Sequence, residues 1–204
     1  MVPERVGVYI DGFNLYYGVR AATGRRYLWL DVEKLARDFL RPGQRLESVT
    51  YFTSRVRTPA ASHLRQTTYL EALGVSTVAE VVEGYLQQTA RTCASCGATT
   101  PRIEEKRTDV HIACRMLDDA HRGAVDMALL VSGDSDLAPA LELINALPAR
   151  RAVVAFPPRR HSVVLAQAAG AVTYVSAASL RRCQLPDPVV SAAGVRYERP
   201  AYWR

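Results

Sequence analysis

The segment VDMALLVS, residues 125–132, is apolar almost throughout and only eight residues long. A run of that length and character reads as a central strand of a parallel sheet, covered on both faces. The segments around it alternate strand-like and helix-like patterns along most of the chain. Residues 5–10 (RVGVYI) read as a short buried strand ending at Asp11-Gly12. Asp31 is placed to cap a helix over DVEKLARDFL, which Pro42-Gly43 stops. LESVTYFT is β-rich. Thr58 as cap with Pro59 at the first helical position opens the next helix, and Gly74 closes it. VSTVAEVVEGYL then reads as a strand with a bend at Gly84. Residues 88–105 break the rhythm as an inserted loop or small hairpin. Helical periodicity resumes at Thr108, with Val110, Ala113, Leu117 and Ala120 on one face. After VDMALLVS come a helix from about Leu137, a strand at RAVVAF, a helix after Pro158 and a strand at AVTYVS. Such alternation implies an α/β fold, a parallel sheet with helices on both faces. Ligands of these folds sit beyond the carboxyl ends of the strands.

Two of the strands run into acid at that end: VYI into Asp11, and ALLVS into Gly133-Asp134-Ser135-Asp136. Asp109 begins the helix before the second of them and falls at the edge of its apolar face, so it is expected to point towards the sheet. Carboxylates gathered this closely repel one another, and a hard cation relieves the repulsion. Asp oxygens suit Mg²⁺ or Mn²⁺. Asp11, Asp109, Asp134 and Asp136 are therefore the expected metal ligands and catalytic residues. Asn14 and Ser132 are candidates for bonding waters or phosphates beside them. The competing reading of each Asp alone is ordinary turn or helix-start chemistry.

Composition narrows the partners. A net charge of +6 with 26 basic against 20 acidic residues favours a polyanion, nucleic acid above all. No stretch is long and apolar enough for a membrane span, and the N-terminus lacks a signal-peptide core, so a cytoplasmic protein without a membrane partner is expected. Nucleotide-hydrolysing and dinucleotide-binding loops, GxxxxGK[ST] and GxGxxG, are absent. Phe13 stands where a haloacid-type phosphatase needs its second Asp. His63, His111, His121 and His161 lie in no triad context.

Taken in order, YIDGFNL, EKRTDV and LLVSGDSDLAP resemble the NYN domain family, the LabA-like branch of the PIN-like nucleases. VVAFPPRRHS and LRRCQLPD extend the resemblance to about residue 188. It implies a PIN-like three-layer α/β/α sandwich over residues 1–188; the residues themselves read 88–105 as a small Cys-containing insertion and 189–204 as a C-terminal tail laid over the surface. The resemblance implies a divalent-metal-dependent endoribonuclease, with RNA as partner. Asp11 matches the first acid, Asp109 the second, and Asp134 and Asp136 the last two. Asn14 and Ser132 match polar positions, and Lys106 the basic residue ahead of the second acid. The alternatives are a catalytically weak RNA-binding or regulatory module, and a DNA-directed or structure-specific nuclease.

Two further features stand outside the acids. Cys93 and Cys96 have the CxxC spacing of a zinc half-site, and His111 and Cys114 supply a second pair at HxxC spacing. The expectation is a structural Zn²⁺ on that pair or on all four; the competing reading leaves the four unlinked. Among the recurrent arginine pairs, Arg159 and Arg160 follow a strand directly and are expected to hold a nucleic-acid backbone. Phe13, Tyr16 and Tyr17 are candidates for base stacking, with packing as the competing reading.

Overall fold

A computed structural model describes residues 2–92, 95–97 and 99–203. The elements follow in the order β1 (Glu4–Asp11), α1 (Gly12–Thr23), α2 (Val32–Asp38), β2 (Gln44–Ser54), α3 (Ala60–Ser76), β3 (Glu80–Thr92), β4 (Thr99–Lys106), α4 (Thr108–His121) and β5 (Met127–Val131). A 3-10 turn (Ser135–Leu137) then leads into α5 (Ala138–Asn145), β6 (Arg151–Phe156), α6 (Val163–Ala168), β7 (Ala171–Tyr174), α7 (Ala177–Arg182), β8 (Val189–Val190) and β9 (Arg196–Tyr197).

Six of these strands form a parallel sheet in the order β3-β2-β1-β5-β6-β7, with β4 added antiparallel at the β3 edge. Successive residues of the central strands feed opposite faces, because side chains alternate across a strand. Val8 and Ile10 of β1 join Leu15, Leu35 and Leu73 of α1, α2 and α3 on one face. Tyr9 between them joins Ile112, Met116, Leu141 and Leu165 of α4, α5 and α6 on the other. The result is the three-layer α/β/α sandwich that the sequence pattern and the resemblance imply. At roughly 1.5–3 kcal/mol for each large aliphatic side chain buried, these two faces are the main source of stability.

Helix α4 departs from its expected phase. Its buried positions are Thr108, Ile112, Met116 and Ala120, whereas Val110 is exposed. Ile112 and Met116, the large pair at i and i+4, set the inward face, and Val110 lies round the helix from them. The helix is pinned at both ends. The Tyr9 hydroxyl donates to Asp119 Oδ2 at 2.8 Å near its last turn, and Thr108 Oγ1 lies 3.4 Å from Ser54 Oγ at its first. Burial and the Asp119 carboxylate push the Tyr9 phenol well above its ordinary range, so it remains a donor.

Several boundaries also move. Helix α3 starts one residue later than expected, at Ala60, with no side-chain cap. It continues through Gly74 to Ser76, because Tyr69, Leu70, Ala72 and Leu73 bury a face that outweighs one glycine. A Cβ at Gly74 would meet nothing within 4 Å, so Gly74→Ala should stabilise the protein by about 0.5–1 kcal/mol. Denaturant unfolding checks this; a loss of stability would mean that the helix is not continuous there. Strand β3 accordingly begins at Glu80 rather than in the mid-70s, and it runs on to Thr92. Finally, residues 189–204, expected as a surface tail, contribute to the core: Val189 and Trp203 are buried, and the Trp203 ring stands 5.6 Å from Tyr69 and 6.4 Å from Trp29.

Candidate active site at the sheet switch point

The chain builds outwards from β1 through β2 to β3, then returns to lay β5 on the other side of β1. The order therefore reverses between β1 and β5, and parallel sheets leave a crevice at the carboxyl ends of such a pair. Asp11 is the last residue of β1, and Ser132 to Asp136 follow β5. Ile10 stands in register with Val131, so Asp11 and Ser132 emerge side by side. The Thr108–Ser54 contact brings the first turn of α4, and with it Asp109, to the same rim.

Asp11 is the anchor. It is 5% exposed, and Oδ1 accepts the Asn14 backbone N–H at 3.0 Å as the cap of α1. Oδ2 accepts the Ser132 hydroxyl at 2.8 Å. The helix N-terminus favours negative charge at that point. Ser132 in turn accepts the Asp134 N–H at 3.1 Å, and Asn14 Oδ1 accepts the Gly133 N–H at 3.0 Å. Sequence reasoning expected Ser132 to contact substrate, but its complete burial assigns it to holding Asp11 and the β5 loop. Asn14 spends its carbonyl on the same loop.

Asp134 is half-buried, and its Oδ1 accepts the Asp136 N–H at 3.1 Å, capping the 3-10 turn. Asp136 is exposed, and so is Asp109, which was expected to face the sheet. With Thr108 and Ile112 taking the inward positions, Asp109 is left on the solvent side of the first turn. The four acids thus share one rim at different depths. Among the described residues, no three acidic, His or Cys side chains converge on one point.

Close backbone approaches shape the crevice. A Cβ on Gly12 would lie 2.6 Å from the Phe52 carbonyl oxygen and 2.6 Å from the Tyr51 ring. One on Gly133 would lie 1.8 Å from the Arg160 carbonyl oxygen. The loop after β6 therefore passes directly over Gly133 and carries Arg159 and Arg160, both exposed, along the acidic rim. Neither forms an ion pair among the described residues. Arg159 (φ 59°) and Arg107 (φ 75°), in the loops bordering the crevice, hold left-handed conformations that non-glycine residues keep only under firm tertiary constraint. The other arginine pairs are used elsewhere. Arg150 and Arg151 bond Asp126 and Glu4 at the opposite end of the sheet, and Arg182 bonds Asp38.

The cysteine expectation is not met as a four-ligand site. Cys93 and the side chain of Lys106 lie outside the described residues. β3 pairs with β2 only as far as Gly84, and from Tyr85 to Thr92 it pairs with β4 alone, as an arm overhanging the rim. Eight residues of β4 at about 3.3 Å each set the turn containing Cys96 roughly 25 Å from the start of α4. His111 and Cys114 lie along α4 itself, facing a groove shared with Val82 and Asp118. Cys96 and Cys114 are exposed free thiols, and Cys183 is a buried one that burial pushes up to about 11.

What sequence reasoning did not find is a cavity of about 220 Å³ on the α1–α3 side of the rim, lined by Gly12, Phe13, Tyr17, Arg20, Tyr51 and Arg65 among others. Its walls come from α1, β2, α3 and the chain end, and no local pattern links segments so far apart.

The sequence pattern of the NYN domain family matches residues 5–176. The 6-hydroxy-3-succinoylpyridine 3-monooxygenase HspA of Pseudomonas putida is 31% identical over an alignment of 181 residues, with 71% of this chain and 56% of that relative covered. The match thus spans little more than half of the relative's length. A solved structure of a protein of unknown function from Vibrio parahaemolyticus shares the fold, with a TM-score of 0.58 at 21% identity, over 86% of this chain and 95% of that one. The chain belongs to the NYN domain family, a nuclease-like branch of the PIN-like superfamily.

Proposed function

We propose that the β1–β5 crevice hydrolyses phosphodiester bonds of RNA with the help of Mg²⁺ or Mn²⁺. The observation that carries this reading is the Asp11 carboxylate, buried at the switch point and held in place by Ser132 and the α1 N-terminus. One Asp11 oxygen accepts the Asn14 N–H and the other the Ser132 hydroxyl. Asp134 Oδ2 takes no hydrogen bond among the described residues. Mg²⁺ commonly binds through one or two carboxylates, with waters and substrate phosphate completing its shell. The oxygen donors fit that chemistry without a cage of three side chains.

Asp11 and Asp134 would hold the ion, with Asp109 and Asp136 reaching it through waters. When bound, such an ion lowers the pKa of a water and offsets charge on the scissile phosphate. The chain's own residues do the positioning. Ser132 and Asn14 keep Asp11 and the Gly133 loop fixed, while Arg159 and Arg160 flank the rim where a phosphate backbone would run.

Purified protein should cleave labelled RNA in Mg²⁺ or Mn²⁺ and stop in chelator, with DNA of the same sequence run alongside to set the sugar preference. Cleavage that persists in chelator would remove the metal-dependent reading. Binding without cleavage in either metal would leave a regulatory RNA-binding module.

The similarity to a pyridine monooxygenase, together with the aromatic cavity, favours a second reading: hydroxylation of a heteroaromatic acid. One oxygen atom of O₂ would enter the ring, and a two-electron donor would reduce the other to water. A 16 Da gain on such an acid, with matching O₂ and donor consumption, would establish it.

A further inference from the structure

The cavity beside Gly12 is walled by rings. Phe13, Tyr16 and Tyr17 come from α1 and Tyr51 from β2. Tyr17 meets Tyr16 edge to face at 5.3 Å and Phe13 at 6.0 Å, yet it remains 46% exposed. A half-exposed ring braced by two others presents a fixed π-face and loses little freedom on stacking. Arg20 and Arg65 also line the cavity, whose wall holds no Asp or Glu among the described residues. Neither arginine forms an ion pair among the described residues. Arg65 lies over the Tyr202 ring and donates to Ser62 Oγ, so its charge has polar company but no carboxylate partner among the described residues. Aromatic faces beside such guanidinium groups select a ligand that is both planar and anionic.

Size and position narrow the choice further. About 220 Å³ is smaller than the roughly 300–1,000 Å³ of sites that enclose a whole small ligand. It has room for one ring of something longer. Gly12 lines the cavity and follows Asp11 directly, so the pocket begins one residue from the buried carboxylate, across the rim from α4. A strand laid over the rim passes Asp11 and reaches this pocket with its next base.

We infer that the cavity is a nucleobase subsite, which makes the preferred substrate single-stranded. One base stacks on Tyr17, and the adjoining phosphate lies against Arg20 and Arg65. A base paired within a duplex is not free to enter, whereas unstacked single-strand bases bind aromatic side chains readily. The inference rests on the phosphodiesterase reading and adds to it the form of the substrate.

The test measures fluorescence anisotropy of three labelled RNAs in chelator, so that none is cleaved: a single strand, its duplex, and a strand with abasic positions. Stacking one base changes affinity by roughly 5- to 150-fold. Wild type should bind the single strand at least about 10-fold more tightly than the other two. Tyr17→Ala should lose about 10-fold on the base-bearing strand only, and Tyr17→Phe should restore it, because a ring and not a hydroxyl is required. Unchanged melting of both variants keeps folding out of the result. Equal binding of all three RNAs, or a Tyr17→Ala protein indistinguishable from wild type, would overturn the subsite. So would displacement of a bound strand by nicotinate that Tyr17→Ala abolishes, which would give the cavity to a small heteroaromatic acid. Cleavage of the same strands in Mn²⁺ is scored separately. Cleavage with an indifferent Tyr17 removes the subsite and leaves the nuclease, whereas no binding and no cleavage removes both.

Discussion

Asp11→Asn should reduce metal-dependent RNA cleavage by about 10³-fold while leaving the melting temperature within about 2 °C of wild type. The substitution removes one negative charge and almost no volume. Asn caps a helix about as well as Asp, so its Oδ1 can keep the Asn14 N–H. Ser132, which now donates to Asp11 and accepts from Asp134 N–H, can turn its hydroxyl and accept from the new amide instead. The local structure therefore survives. What is lost is the fixed anionic ligand, and an ion's help to the transition state is worth several kcal/mol. A loss of about 4 kcal/mol corresponds to roughly three factors of ten in rate. Gel assays in Mn²⁺ with a thermal melt of the same preparation decide the matter. Wild-type cleavage by Asp11→Asn would show that the chemistry lies elsewhere. Collapse of the fold would show that the charge is structural.

Gly133→Ala should have the opposite profile, in which stability fails first. The added methyl would sit 1.8 Å from the Arg160 carbonyl oxygen and 2.8 Å from its carbon, both backbone atoms. A flexible side chain can yield to such a methyl, but two backbones cannot part cheaply. One is held by the Asn14 bond to Gly133 N–H, and the other by the tight turn through Arg159. Overpacking of this kind costs about 3 kcal/mol, at the upper end for one methyl. For a chain of this size that is a fall in Tm of about 6–12 °C. Because the displaced loop carries Arg159 and Arg160, RNA affinity should fall as well, and more steeply at low salt. Calorimetric melting with binding titrations at two salt concentrations checks both parts. An unchanged Tm would disprove the close passage of the two loops.

Read from residues alone, the chain discloses its layers and its rim. Apolar runs such as VDMALLVS have only one economical place, between two helical layers. Acids at the ends of two such runs must then emerge at one edge, because parallel strands share a direction. Asp11 is thereby set beside the β5 loop by local pattern alone. That pattern could not say which polar neighbour touches solvent. Ser132 and Asp134 are two residues apart, yet one is buried and the other half-exposed, a difference set by how the β6 loop covers Gly133. Nor could helical spacing give the phase of α4, which depends on Ile112 and Met116 finding the sheet and leaves Asp109 outside. The Cys96 turn and the His111–Cys114 pair look adjacent in the chain. An extended arm separates them because strands lengthen by about 3.3 Å per residue. The aromatic cavity was the least legible of all: Tyr17, Tyr51, Arg65 and Trp203 come from four segments that share no period. Local pattern determines which face a side chain takes, since strand and helix periods are properties of the backbone. Which distant side chains meet is decided only when the layers close, since that depends on the packing of all of them at once.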